Sequence, residues 1–92
     1  MNKVEARAVA KQEIARYTAK SFLELRRLLD EVDAYGAKAP SGSPYEVEVH
    51  AFWDNKPEGD IRVFCEVSSD FWSSIFPLCE DFIISPDGTL RE

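Results

Sequence analysis

Tyr45-Glu46-Val47-Glu48-Val49-His50-Ala51-Phe52-Trp53 and, a few residues later, Ile61-Arg62-Val63-Phe64-Cys65-Glu66-Val67 decide how this chain folds. Both stretches alternate with the period of two that marks a half-buried strand. Tyr45, Val47, Val49, Ala51 and Trp53 point one way, together with Ile61, Val63, Cys65 and Val67. Glu46, Glu48, His50 and Phe52 point the other. Asp54-Asn55-Lys56-Pro57-Glu58-Gly59-Asp60 has turn composition, so 45–53 and 61–67 are predicted to form an antiparallel hairpin. Two registers with the same parity compete. Pairing Phe52 with Arg62 sets Glu48 directly opposite Glu66, which like-charge repulsion disfavours. Pairing Phe52 with Phe64 sets His50 against Glu66 and Asp54 against Arg62, and is the expected register.

Upstream, residues 3–34 contain no Pro or Gly and are rich in Ala, Leu, Glu, Lys and Arg. One long helix is expected there, closed by Gly36. At about 100° per residue, Ile14, Thr18, Ser21, Phe22, Leu25, Leu28, Leu29 and Val32 share one face, its apolar side. Lys3, Arg7 and Lys11 fall in the same sector, so the first turns are expected to overhang the core, fray or meet an acidic partner. Val9 and Leu23 fall on the solvated side. The Pro/Gly/Ser stretch 37–44 reads as a linker. Downstream, Ser68-Ser69-Asp70 offers caps for a short helix over 70–76, and 82–91 reads as a strand or hairpin around Pro86-Asp87-Gly88. The whole, 1–92, is read as one α+β domain: a long N-terminal helix packed across a small antiparallel sheet of three or four strands, with a short helical turn before the third strand.

The closing segment, Pro77-Leu78-Cys79-Glu80-Asp81-Phe82-Ile83-Ile84-Ser85-Pro86-Asp87-Gly88, resembles the ends of small uncharacterised bacterial α+β proteins. The resemblance implies a bacterial domain of that class and brings no activity and no functional residue with it.

Composition narrows the chemistry. The net charge is −6, with residues 1–38 at +2 and residues 39–92 at −8. An acidic balance of this kind argues against nucleic-acid and anionic-membrane partners. No apolar run is long enough to span a bilayer, and the first residues lack the apolar core of a secretory signal. A cytoplasmic protein with reduced thiols, Cys65 and Cys79, is expected. Glycines 36, 42, 59 and 88 are scattered, so no phosphate-cradling loop exists. His50, Cys65 and Cys79 are too few for a structural zinc site, and no metal or cofactor is expected. The opposite parity of His50 and Cys65 also separates them as a base and nucleophile pair. Glu46, Glu48, His50 and Glu66 read as the polar side of a solvated sheet.

The aromatic residues are the informative feature. Phe52 and Phe64 lie on the outer sheet side by parity, and Phe71 and Trp72 are adjacent on a short turn. Asp54, Asp60, Glu66 and Asp70 would rim them. Aromatic anchors within a polar rim are the anatomy of a protein interface, and an acidic rim steers a basic partner. The expected function is therefore a non-enzymatic, acidic protein-interaction module, docking on a basic partner as inhibitor and immunity proteins do, or pairing with itself through the outer sheet faces. The alternative is a small-ligand or enzymatic pocket between helix and sheet, lined by Tyr17, Tyr45, Trp53 and Cys65.

Overall fold

The computed structural model describes residues 1–70, 73 and 77–91. Its centre is the predicted hairpin: β2 (Pro44–Trp53) pairs antiparallel with β3 (Ile61–Ser68). Parity is as the alternation requires, with Val47, Val49, Ile61, Val63, Cys65 and Val67 each at most 1% exposed. Around it, β1 (Asp33–Lys38), β4 (Leu78–Ile84) and β5 (Leu90–Arg91) complete a five-stranded antiparallel sheet in the order β1-β2-β3-β4-β5. The sheet thus has more strands than the three or four expected. Every connection joins neighbours in the sheet, and helices occupy its inner face alone among the described elements.

The register is the disfavoured one. Phe52 faces Arg62, His50 faces Phe64 and Glu48 faces Glu66. Counting only directly opposed residues leads to the wrong choice, because diagonal neighbours also touch in a sheet. His50 reaches Glu66 at 2.7 Å, Arg62 reaches Asp54 at 2.9 Å, and the Phe52 and Phe64 rings meet edge to face at 5.5 Å. All three favourable contacts of the rejected alternative are recovered on diagonals. On its other side, through the β3–β4 register, Arg62 also reaches Asp81 at 2.7 Å.

The single long helix over 3–34 is also corrected. Helix α1 (Lys3–Thr18) stops, and α2 (Phe22–Arg26) restarts the chain before a 3-10 turn at Arg27–Leu29. Ser21 causes the restart. Its hydroxyl accepts from the Glu24 N–H at 3.1 Å while the Glu24 carboxylate accepts from the Ser21 N–H at 3.0 Å, a capping box. The break resets the helical phase. The buried side of α1 is Ala6, Val9, Ala10 and Tyr17, so Val9 is core, whereas Val32 is 58% exposed. Small residues at the contact let α1 lie close over β3 and β4. Leu25 and Leu28, 0% and 2% exposed, complete the core from α2 and the turn.

Gly36 closes no helix. It sits mid-strand in β1, paired with Glu46. The segment 37–44 is no linker: Ala37 and Lys38 end β1, Pro44 opens β2, and 39–43 between them form a tight hairpin turn, with the Gly42 N–H donating to Ala39 O at 2.8 Å and Gly42 at φ 91°, where a side chain would be strained. Strand β4 begins four residues before the expected 82, and β5 pairs back across a turn closed by Ser85 N–H to Thr89 O at 2.9 Å. The expected short helix over 70–76 lies largely outside the described residues. Of it, Ser73 is helical, and its N–H donates to Asp70 Oδ1 at 2.7 Å, which matches the predicted cap.

Candidate functional site

The outer sheet face gathers residues from four strands, with Ala34, Gly36 and Lys38 of β1 at its edge. On β2 it carries Glu46, Glu48, His50 and Phe52; on β3, Arg62, Phe64 and Glu66; on β4, Cys79, Asp81 and Ile83. At its centre the His50 ring stacks on Phe64 with centroids 5.4 Å apart and meets Phe52 edge-on at 5.3 Å. Phe52 remains 57% exposed. Such a rigid three-ring group offers apolar area with little side-chain entropy left to lose on binding.

Charge is segregated around these rings. Arg62 is the cation at the Phe52 end, and it is engaged twice, by Asp54 at 2.9 Å and by Asp81 at 2.7 Å. Those two carboxylates raise the Arg62 pKa further, Asp81 first. At the other end stand Glu46, Glu48 and Glu66. Glu66 meets His50, while Glu46 and Glu48 are exposed and meet no cation among the described residues. Glu46, Glu48 and Glu66 line a small cleft of about 60 Å³ with Ser68 and Pro77.

Among the predicted site residues, the structure therefore brings together Phe52, Phe64, Asp54 and Glu66. Asp60 belongs elsewhere: it pairs with Arg91 of β5. Asp70 is exposed beside Ser73. Phe71 and Trp72 lie outside the described residues. Sequence reasoning joined His50 to Glu66 and Arg62 to Asp54, contacts the structure contains, but gave neither His50 nor Arg62 a place in the site and missed Asp81 and Ile83. Ile83 is 7% exposed between Arg62 and Arg91 in the ladder, where arginine stems can cover an apolar side chain.

Between helix and sheet, the residues proposed to line a pocket are packed instead. Tyr17, Tyr45 and Cys65 are 5%, 4% and 0% exposed and belong to the core. The tyrosine hydroxyls reach outward to carboxylates: Tyr17 donates to Asp33 at 2.7 Å and Tyr45 to Glu5 at 2.7 Å. Tyr35 does the same to Glu13 at 2.8 Å. Trp53 is half-buried under the Arg26 guanidinium, 5.1 Å from the ring centroid. Burial pushes the Cys65 thiol up to about 12. Local packing and the carboxylates of Glu66, Asp81 and Glu80 push Cys79 up to about 11. Both sulfurs are thus thiols at neutral pH, the unreactive form. They lie on opposite sheet faces, since Cys65 faces Glu80 and Cys79 faces Glu66 across the β3–β4 ladder. No cluster of three or more potential metal ligands occurs among the described residues, and no described helix is long and apolar enough to cross a membrane.

No protein-family model, no curated protein and no solved structure matches this chain, so the site is read from its geometry alone.

Proposed function

We propose that this chain is a non-enzymatic protein-interaction module that docks on a basic partner through its outer sheet face. One observation carries the reading: a single row of the outer face runs from an exposed phenylalanine, Phe52, held by His50 and Phe64, to carboxylates at its far end, Glu46 and Glu48, that meet no cation among the described residues. A phenylalanine left 57% exposed on a sheet face and fixed by two neighbouring rings is suited to anchor a partner. The carboxylates at the other end of the row favour a cationic counterpart and speed its approach. Enzymatic use is disfavoured by the packed helix–sheet core and by the two protonated thiols.

The test uses a short polyarginine peptide as a stand-in for the basic partner, followed by amide chemical-shift mapping on the full chain. Shifts should concentrate on Glu46, Glu48, His50, Phe52 and Phe64. The double substitution Phe52→Ser and Glu48→Gln should weaken binding about tenfold or more, the equivalent of roughly 1.4 kcal/mol. Shifts spread evenly over the acidic surface, or affinity untouched by the substitutions, would remove the docking reading.

A further inference from the structure

Helix α1 carries a cationic row that the core does not use. Lys3, Arg7 and Lys11 recur every four residues, with Val4 and Ala8 beside them, and these five line an open surface cleft of about 380 Å³. All five are exposed, Val4 by 84%. Arg7 reaches Glu80 at 2.9 Å, but Lys3 and Lys11 meet no carboxylate among the described residues. A rise of 1.5 Å per residue spaces the three cations about 6 Å apart along the helix.

The outer side of β2 is the complementary row. Glu46, Glu48, His50 and Phe52 succeed one another on one face. At about 3.4 Å per residue their spacing is about 6.8 Å, close to that of the helical cations. Carboxylates occupy one end of this row and an exposed phenyl ring the other, while on α1 the cations are flanked by exposed Val4 and Ala8. The two rows cannot meet within one molecule, because α1 packs on the inner face, over β3 and β4.

We propose that the Lys3–Arg7–Lys11 row of one molecule docks on the Glu46–Glu48–Phe52 row of a second copy. This rests on the docking reading above and identifies its basic partner as the chain itself. The contact joins two different patches, so each copy keeps one of each free and assembly proceeds head to tail, to a ring or a short filament. Pairing of two outer sheet faces is the poorer arrangement. It brings two sets of glutamates to one interface, where Arg62 is already held by Asp54 and Asp81, leaving Lys38 at the β1 edge to offset them. The head-to-tail contact is solvated at its rim and therefore weakens with salt.

Sedimentation velocity on the full chain tests this. The wild type should gain average mass with concentration in low salt and lose it in high salt. Lys3→Glu with Lys11→Glu should sediment as a monomer, and so should Glu46→Lys with Glu48→Lys. Mixing the two reversed variants should restore association, because each now complements the other. Circular dichroism melts establish that each variant is folded, and the neutral pairs Lys→Gln and Glu→Gln replace any reversed variant that is not. A wild type monomeric at all concentrations, a single variant that associates like wild type, or a mixture that stays monomeric overturns the proposal. If the chain stays monomeric while polyarginine still binds the Phe52 face, the second-copy assignment falls and the docking surface stands. If polyarginine also ignores that face, both fall.

Discussion

His50 Nε2 lies 2.7 Å from Glu66 Oε1, yet the two residues are not cross-strand partners: His50 stands opposite Phe64, and Glu66 stands opposite Glu48. The diagonal bond ties β2 to β3 on the outer face and leaves Glu48 opposite a carboxylate, with no cation of its own among the described residues. The sheet therefore retains a like-charge pair at its centre, and that pair belongs to the surface argued to receive a cation. Local stability is reduced where a partner's charge would restore it.

That arrangement predicts a stabilising substitution. Glu48→Gln removes the repulsion with Glu66 and should raise stability by about 0.5 kcal/mol, within the range of cross-strand charge pairs. For a domain of this size that is a rise of roughly 2–4 °C in melting temperature. Glu46→Gln is the control, because Glu46 faces Ser68 and not a carboxylate. Thermal melts in low salt should separate the two variants, and the difference should shrink as salt is added. Equal shifts for both substitutions would mean that the Glu48–Glu66 opposition carries no energy.

How much of this was legible depends on which interactions set each element. The parity of β2 and β3 was fully legible, because alternation of Val with Glu admits one buried side. Phe52, Phe64, Asp54 and Glu66 were placed on or beside the outer face for that reason. Arg62 bridging to Asp81 was not legible, since it depends on the β3–β4 register and on a β4 that begins at Leu78. Strand β1 was missed because Asp33-Ala34-Tyr35-Gly36-Ala37-Lys38 has weak strand propensity, and its pairing with β2 decides its form. The break in the helix was legible and passed over: Ser21-Phe22-Leu23-Glu24 has capping-box spacing, but an uninterrupted run of good helix formers masks it.

The capping box gives a direct test of why α1 ends where it does. Ser21→Ala removes one of its two reciprocal bonds and should cost about 1 kcal/mol in urea unfolding. Glu24→Ala should cost less singly, and the double variant should cost less than the sum of the singles, because the two side chains act as one cap. Strict additivity would mean that the two side chains act independently, and near-zero costs would mean that Phe22 and Leu25, buried on the same short helix, hold α2 in place without the cap.

The cluster formed by Tyr17, Arg27 and Asp33 sets the pH limits of the fold. Arg27 grips Asp33 with two bonds of 2.8 Å, and Tyr17 donates a third of 2.7 Å. The guanidinium, followed by the Tyr17 hydroxyl, holds the Asp33 carboxyl down at about 2. The group is thus more acidic folded than unfolded. Its contribution is complete above about pH 4 and disappears as pH falls toward 2, a loss of about 1–2 kcal/mol after allowing for solvent screening. At the alkaline end the sign is opposite. Burial, then the bond to Asp33, raises Tyr17 to about 12, so its contribution is complete below pH 10 and disappears as pH rises toward 12. Tyr35 and Tyr45 are raised as well, Tyr35 by burial first and Tyr45 by its bond to Glu5. Phenolate absorbance of the folded chain should therefore stay flat through pH 10 and rise together with the loss of the circular-dichroism signal. In urea the same three tyrosines should titrate near 10. Asp33→Asn should flatten the acid limb below pH 4 and leave the alkaline limb in place; an acid limb unchanged by that substitution would show that another carboxylate governs acid unfolding.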